Sequence, residues 1–326
     1  MIDNISHQAL EACFGTLHFN KLRSVQSLWS GYGEIARYDV SGRAAPIILK
    51  IINIHAKAAH PRGWESATAH TRKLSSYLNE QVFYKQFSEQ LNERCRTPKY
   101  ISSGANRNAM WLVLEDADHK GYEVRRNTAS FEQASLGVTW LANFHAQFLN
   151  SEGEGLWPIG TYWHLQTRKQ EWQAMPDSNL KQQAQNVSNA LQNCRYSTLV
   201  HGDAKIANFC FNSDCSDVLA LDFQYVGKGC GIQDLVYFLG SCLSADDLER
   251  YASDLKEYYF EQLKQALAFS KQDHLFPSVK TEWSELYKFA WADFERFLRG
   301  WSPSHHKLNQ YSEKQTNLAL ATLKKP

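Results

Sequence analysis

The sequence predicts an α+β fold in two lobes, a small antiparallel-sheet lobe with one long helix and a larger, mostly helical lobe. Three patterns lead there. Strand-like runs bounded by turn formers fill much of the first 116 residues, a single long helical repeat interrupts them, and helical periodicity dominates from Ser130 onward. A chain of 326 residues, at roughly 100 to 200 residues per compact unit, has room for two such parts. The change of pattern lies near Leu114 to Lys120, so the lobes are drawn as 1–116 and 117–326.

Taken in order, "SLWSGYGEIARYDV", the turn "SGRAAP" and "IILKII" read as a hairpin with a glycine-rich first arm. From Ala67 to Asn92, Leu74, Tyr77, Leu78, Tyr84, Phe87 and Leu91 recur at helical spacing. "KYIS" and "MWLVLED" are two further strands around the polar turn "SGANRN". Beyond them, a short-strand region from Ser197 to Phe223 breaks the helical half.

Composition excludes several classes. Thirty-five basic against 34 acidic residues give a net charge of +1, so no global field draws the chain to nucleic acid or an anionic membrane. No apolar run is long enough to span a bilayer, and the N-terminus lacks the pattern of an export signal, which makes a cytoplasmic protein the default expectation. The seven cysteines are scattered without a CxxC pair, arguing against a disulfide framework and a zinc site.

Four features carry chemistry. In "LVHGDAKIANFCFN", Asp203 and Asn208 precede a hairpin whose return strand ends at Asp222. Asn208 and Asp222 are equidistant from a turn centred on Cys215 and are therefore expected to face each other, offering oxygen ligands that suit magnesium. Lys50 lies among apolar residues in "PIILKIIN", where a buried ammonium needs an anion. Glu80 shares a helix face with Tyr77, Phe83, Tyr84 and Phe87, so it is the candidate partner of Lys50. Gly31 and Gly33 form a GxG turn through which backbone amides can approach a phosphate. Ala36 replaces the third glycine of GxGxxG, and no GxxxxGK[ST] follows.

In this order, the GxG turn, strand lysine, helix glutamate, HxDxxxxN and strand-end DF resemble the apparatus of the protein-kinase-like fold, and within it the aminoglycoside phosphotransferases and choline kinases. "VHGDAKIANF", "LALDFQYVGKG", "GIQDLVYFLGSCL" and "HPRGWESATAHTRKLSSYLNEQVFY" are especially similar to the ecdysteroid kinase-like, or CHK kinase-like, group. The resemblance implies an ATP- and Mg2+-dependent small-molecule kinase with an N-terminal ATP-binding lobe and a C-terminal catalytic and substrate-binding lobe. It makes Asp203 the catalytic base, assigns Asn208 and Asp222 to the metal, and has Lys50 contact the phosphates under the orientation of Glu80. Gly31 and Gly33 would cover the phosphates, and "LEDA" from Leu114 to Ala117, with Glu115, would hold the adenine through its backbone. His201 is expected to brace the loop, and Asp234 to support its backbone.

Gln224 stands where protein kinases have the glycine of DFG, and Asp222 and Asp234 are too close in sequence for a peptide-docking activation segment. A small hydroxyl acceptor of choline or amino-alcohol, sugar, sterol or aminoglycoside type is thus expected rather than a peptide, a nucleic acid or a membrane. Aromatic faces near a carboxylate such as Asp293 would suit a cationic amino alcohol, although tryptophans in a helical lobe more often form core. Two other readings remain open: a weakly active nucleotide-binding regulator of the same fold, and a metal-dependent hydrolase built on His201, Asp203 and Asp222.

Overall fold

The structure, a computed structural model, describes residues 2–15, 18–28, 31–55 and 67–323. The chain divides into two compact units, one of residues 1–90 and 97–124, the other of residues 91–96 and 125–326.

The first unit is built on an antiparallel sheet of β1 (Phe19–Ser27), β2 (Gly33–Val40), β3 (Ile47–Asn53), β4 (Tyr100–Ala105) and β5 (Ala109–Glu115), in the order β1-β2-β3-β5-β4. Its strands alternate faces with a period of two, which decides where each side chain of "IILKIIN" goes. Ile47, Leu49 and Ile51 join Ala36, Tyr38, Val40, Trp111 and Val113 in a core closed by Ala9 and Leu10 of helix α1 (Ile2–Phe14). Ile52 points the other way, packing with Tyr77 of helix α2 (Ala67–Gln86) and with Met110. Lys50 shares the parity of Ile52 and so faces α2.

The long helix is confirmed over Ala67–Gln86, a short 3-10 turn following at Ser88–Gln90. Tyr77, Phe83, Tyr84 and Phe87 are buried, but Leu78 is 47% exposed and does not belong to that face. Neither α1 nor β1 is foreseen by the sequence patterns. Strand β1 lies at the sheet edge with Leu22 and Val25 exposed, so it shows no buried face for a hydrophobic pattern to report. At position 33 the glycine meets a packing demand of the sheet itself. Its φ is +151°, and a Cβ there would lie 2.0 Å from the Ile51 carbonyl oxygen of β3.

After β6 (Val124–Arg125), the second unit contains α3 (Phe131–Gln147), α4 (Lys169–Ala174), α5 (Asn179–Gln192), α6 (Ile232–Cys242), α7 (Ala245–Phe269), α8 (Phe276–Trp301) and α9 (Gln310–Leu323). Ser130 starts α3 with a capping box closed by Gln133. Helix α8 ends at Trp301, two residues before Pro303. Four short strands lie among these helices: β7 (Thr198–Val200) pairs with β10 (Gly227–Gly229), and β8 (Phe209–Phe211) with β9 (Val218–Ala220). All seven cysteines are free, four of them buried. Among the described residues no helix is long and apolar enough to cross a membrane.

Candidate functional site

Lys50 and Glu80 meet in the first unit. The Lys50 ammonium donates to Glu80 Oε2 at 2.6 Å, with the residues 6% and 3% exposed. The Tyr77 ring, expected on the same face as Glu80, lies 5.4 Å from the ammonium. Gly31 precedes Tyr32 in the turn and Gly33 opens β2; Gly31, at φ +73°, has open space where a Cβ would stand. Glu115 closes β5, accepting Lys120 at 3.0 Å while its amide donates to the Lys99 carbonyl. The "LEDA" segment is held by a cation that sequence reasoning missed: Arg37 of β2 pairs with Asp116 and, at 2.6 Å, with Asp118. Part of "HPRGWESATAHTRKL" lies outside the described residues.

In the second unit β7 delivers His201, Gly202 and Asp203 to a sharp turn. Gly202 has φ +77°, and a Cβ there would stand 2.1 Å from the Tyr225 carbonyl oxygen, so only glycine fits. Asp234, fully buried in the first turn of α6, accepts the amides of His201 at 2.5 Å and Gly202 at 3.0 Å. His145 contacts the same carboxylate at 3.1 Å and is itself held by Tyr259. Asp234 therefore supports the loop backbone.

His201 has both ring nitrogens engaged. Nε2 reaches the Leu221 carbonyl at 2.9 Å and Nδ1 the Asp203 amide at 3.3 Å. A carbonyl can only accept and an amide N–H only donate, so the ring is held with its proton on Nε2. Phe223 packs against it at 4.6 Å between ring centroids. This is a brace, and it leaves neither nitrogen for a metal, which removes the observation the hydrolase reading needs. Among the described residues there is also no cluster of three or more His, Cys, Asp or Glu side chains suited to a metal.

Asp203 is the point of convergence. Its Oδ1 accepts Tyr237 at 3.1 Å, and its Oδ2 accepts Lys205 at 3.1 Å and Asn208 at 3.2 Å. Three donors on one carboxylate fix its orientation. Attraction to Asp203 is the largest influence raising the Lys205 ammonium above its ordinary value, and Asp222 adds to it, so both carboxylates act on one lysine. Burial pushes the Tyr237 phenol well up, with Tyr162 and Asp203 adding to the shift.

The facing of Asn208 and Asp222 needs correction. Phe209 pairs with Ala220 and Phe211 with Val218, and the Leu221 amide donates to the Asn208 carbonyl. The hairpin centre thus lies half a residue before Cys215, which places Leu221 opposite Asn208. Asp222 comes one step later and turns out of the strand at φ +66°, a conformation Asp tolerates better than most residues. That turn, rather than strand register, aims its carboxylate. Gln224 donates to it at 2.5 Å.

The donor set still suits magnesium. The Asn208 amide nitrogen is committed to Asp203, at 2.7 Å to its carbonyl, so the amide oxygen is the atom that would meet a metal. One carboxylate and one amide oxygen form a sparse, all-oxygen set of the kind that leaves Mg2+ its waters and phosphates.

Tyr162, from the aromatic stretch Tyr162 to Trp172 expected near the acceptor, lies beside Tyr237, whereas Lys205, Tyr237 and Lys307 enter the site without having been singled out for it. Tyr237 had a legible signal, three positions after Asp234 on one face of a helix. Lys307, beyond α8, had none. Asp293 does not serve a ligand: it is buried and paired with buried Arg296 at 3.0 Å. The aromatics around it, including Trp163, Tyr237, Phe294 and Phe297, form a core cluster.

Residues 160–271 match the model of the ecdysteroid kinase-like family. Among solved structures, an aminoglycoside 2'-phosphotransferase-IIIa in its GDP complex aligns at 10% identity over 99% of this chain and 100% of that one, with a TM-score of 0.51. An ethanolamine kinase of Plasmodium vivax aligns at 10% identity over 94% and 82%, with a TM-score of 0.50. No curated protein matches the sequence. The fold is therefore kinase-like, as the motifs implied, and the match over residues 160–271 agrees with the resemblance to the ecdysteroid kinase-like group that those motifs carry.

Proposed function

We propose that the protein is an ATP- and Mg2+-dependent kinase that phosphorylates a hydroxyl of a small molecule. The observation that carries this reading is the Asp203 carboxylate, oriented by Tyr237, Lys205 and Asn208 on a loop anchored by Asp234. In this reading the acceptor oxygen attacks the γ-phosphorus, its proton passes to Asp203, and the bond from phosphorus to the β–γ bridging oxygen breaks to release ADP. Asn208 and Asp222 hold Mg2+, which when bound neutralises phosphate charge. Lys50, fixed by Glu80, contacts the α- and β-phosphates, Gly31 and Gly33 supply backbone amides to them, and the segment at Glu115 receives the base. Lys205 offsets the charge that Asp203 and Asp222 concentrate.

Magnesium-dependent ATP turnover of the purified protein and of Asp203→Asn tests the mechanism. Loss of a general base lowers the rate by about 10²- to 10⁴-fold, and unchanged turnover in the variant would sink the assignment. A second reading has one observation in its favour. The Gln224 amide donates to Asp222 at the very carboxylate proposed for the metal, as would suit a weakly active nucleotide-binding regulator. Gln224→Gly distinguishes them: a regulator held inactive by this contact gains turnover in the variant, whereas a competent kinase does not.

A further inference from the structure

The aromatic faces beside Asp203 are already occupied by the protein's own cations. The Lys307 ammonium lies 4.7 Å from the Tyr237 ring centroid and 5.7 Å from that of Phe294. The Arg168 guanidinium lies 5.7 Å from Tyr162 and 5.4 Å from Phe297. These are the positions over a ring quadrupole that a choline-like or amino-alcohol ligand would otherwise take. The one carboxylate in the aromatic cluster that could have drawn such a ligand, Asp293, is neutralised by Arg296.

The two cations differ in how they are paired. Arg168 is paired with Glu171 at 3.0 Å and bonded to the Tyr162 carbonyl at 2.7 Å. Lys307, half-buried, has no carboxylate within ion-pair distance among the described residues. The Tyr237 ring under it carries the hydroxyl that donates to Asp203 at 3.1 Å, so Lys307 stands one side chain away from the proposed base. Around the hydroxyl position, then, stand Asp203, whose charge Lys205 already answers, and an ammonium that meets no carboxylate at ion-pair distance among the described residues.

We propose that the acceptor carries an anionic group, a carboxylate or a phosphate ester, which seats against Lys307 while its hydroxyl lies at Asp203. This names the acceptor class for the kinase reading and rests on it. A cationic acceptor would place like charge beside Lys307 and find its aromatic faces filled, whereas an anion supplies the missing counter-charge and keeps the Lys307–Tyr237 contact.

A three-carbon set separates the classes without knowledge of the true acceptor: glycerate and glycerol 3-phosphate as anions, glycerol as neutral, serinol as cation. Burial, opposed by Asp203, holds the Lys307 ammonium down at about 8, so the amine can be acetylated near that pH and the modification followed by mass spectrometry. With a millimolar anion, acetylation of Lys307 should slow by about tenfold, the scale of one charge-assisted contact. Glycerol and serinol should leave it unchanged. Protection by glycerate alone identifies a carboxylate, and by glycerol 3-phosphate alone a phosphate ester. No protection by either anion, or equal protection by serinol, overturns the proposal. Calorimetric binding of the protecting anion should weaken about tenfold in Lys307→Met and persist in Lys307→Arg; equal binding in all three proteins would overturn it as well. The kinase reading fails separately: if Asp203→Asn leaves ATP turnover unchanged while the anion still protects, the anion site stands and the phosphotransfer assignment is withdrawn.

Discussion

Removing Glu80 takes away the carboxylate that the buried Lys50 ammonium meets. The ion pair of Lys50 and Glu80 is 2.6 Å long, and with exposures of 6% and 3% water does little to screen it. Breaking a buried pair from one side typically costs about 3–5 kcal/mol, because the remaining charge stays buried without its counter-ion. Domains are stable by only about 5–15 kcal/mol, so Glu80→Leu alone should cause a large leftward shift in a urea unfolding curve. Replacing both members, Lys50→Met with Glu80→Leu, removes the two desolvation penalties together with the attraction. That double variant should unfold within roughly 1–2 kcal/mol of the parent. Its ATP turnover should nevertheless be lost, since the lysine proposed to hold the phosphates is gone. A double variant as unstable as Glu80→Leu would refute the reasoning, because the penalty would then come from packing. A stable double variant with full turnover would show that the pair serves the fold and nothing else.

Three other outcomes follow from the loop and its neighbours. Gly202→Ala forces a Cβ against the Tyr225 carbonyl at positive φ and should destabilise by more than about 2 kcal/mol, read by thermal unfolding; a neutral substitution would mean the turn can relax. Asp222→Asn keeps a residue that tolerates the left-handed conformation, so it should fold normally but require much more magnesium for turnover, whereas Asp222→Ala should lose stability too. An unchanged magnesium requirement in Asp222→Asn would remove it from the metal. For Lys307, burial and Lys205 lower the ammonium to about 8 while Asp203 and Cys242 act to raise it. The unfolded state, with an ordinary lysine near 10.4, holds more protons between these values, so this group's contribution makes folding more favourable as pH rises through that window. Anion binding should fall over the same range, and a pH-independent affinity would contradict the assignment.

The fold was legible where burial is one-sided and long. The helix from Ala67 and the strand around Lys50 present continuous apolar faces, and the ion pair between them follows from two charges that each needed a partner. The edge strand β1 was not legible, because Leu22 and Val25 face water and leave no alternation to read. The site was legible as residue types but not in its geometry. Counting back from Cys215 put Asn208 opposite Asp222, yet the hairpin closes half a residue earlier and a single positive φ at Asp222 re-aims the carboxylate. Such a dihedral carries no signature in an apolar strand that ends in Asp-Phe. Lys307 was invisible for another reason. It lies in the loop before α9, far from the motif in sequence, and only the packing of that loop brings its ammonium over Tyr237. Asp293 had seemed available to a ligand because a carboxylate among aromatics looks unmatched. Its partner Arg296 sits three residues along the same helix, where that pairing is routine.

The anchoring of the Asp203 loop on Asp234 also sets how the protein can move. Two successive amides of the loop hang on one carboxylate in the first turn of α6, and that carboxylate is clasped from behind by His145 of α3. The loop therefore cannot loosen without fraying the start of a helix, so its amides should exchange with solvent as slowly as those of the helical interior. In the proposed kinase, adjustment to the acceptor would fall to the long, jointed side chains of Lys205 and Lys307, while the backbone beneath them behaves as bedrock.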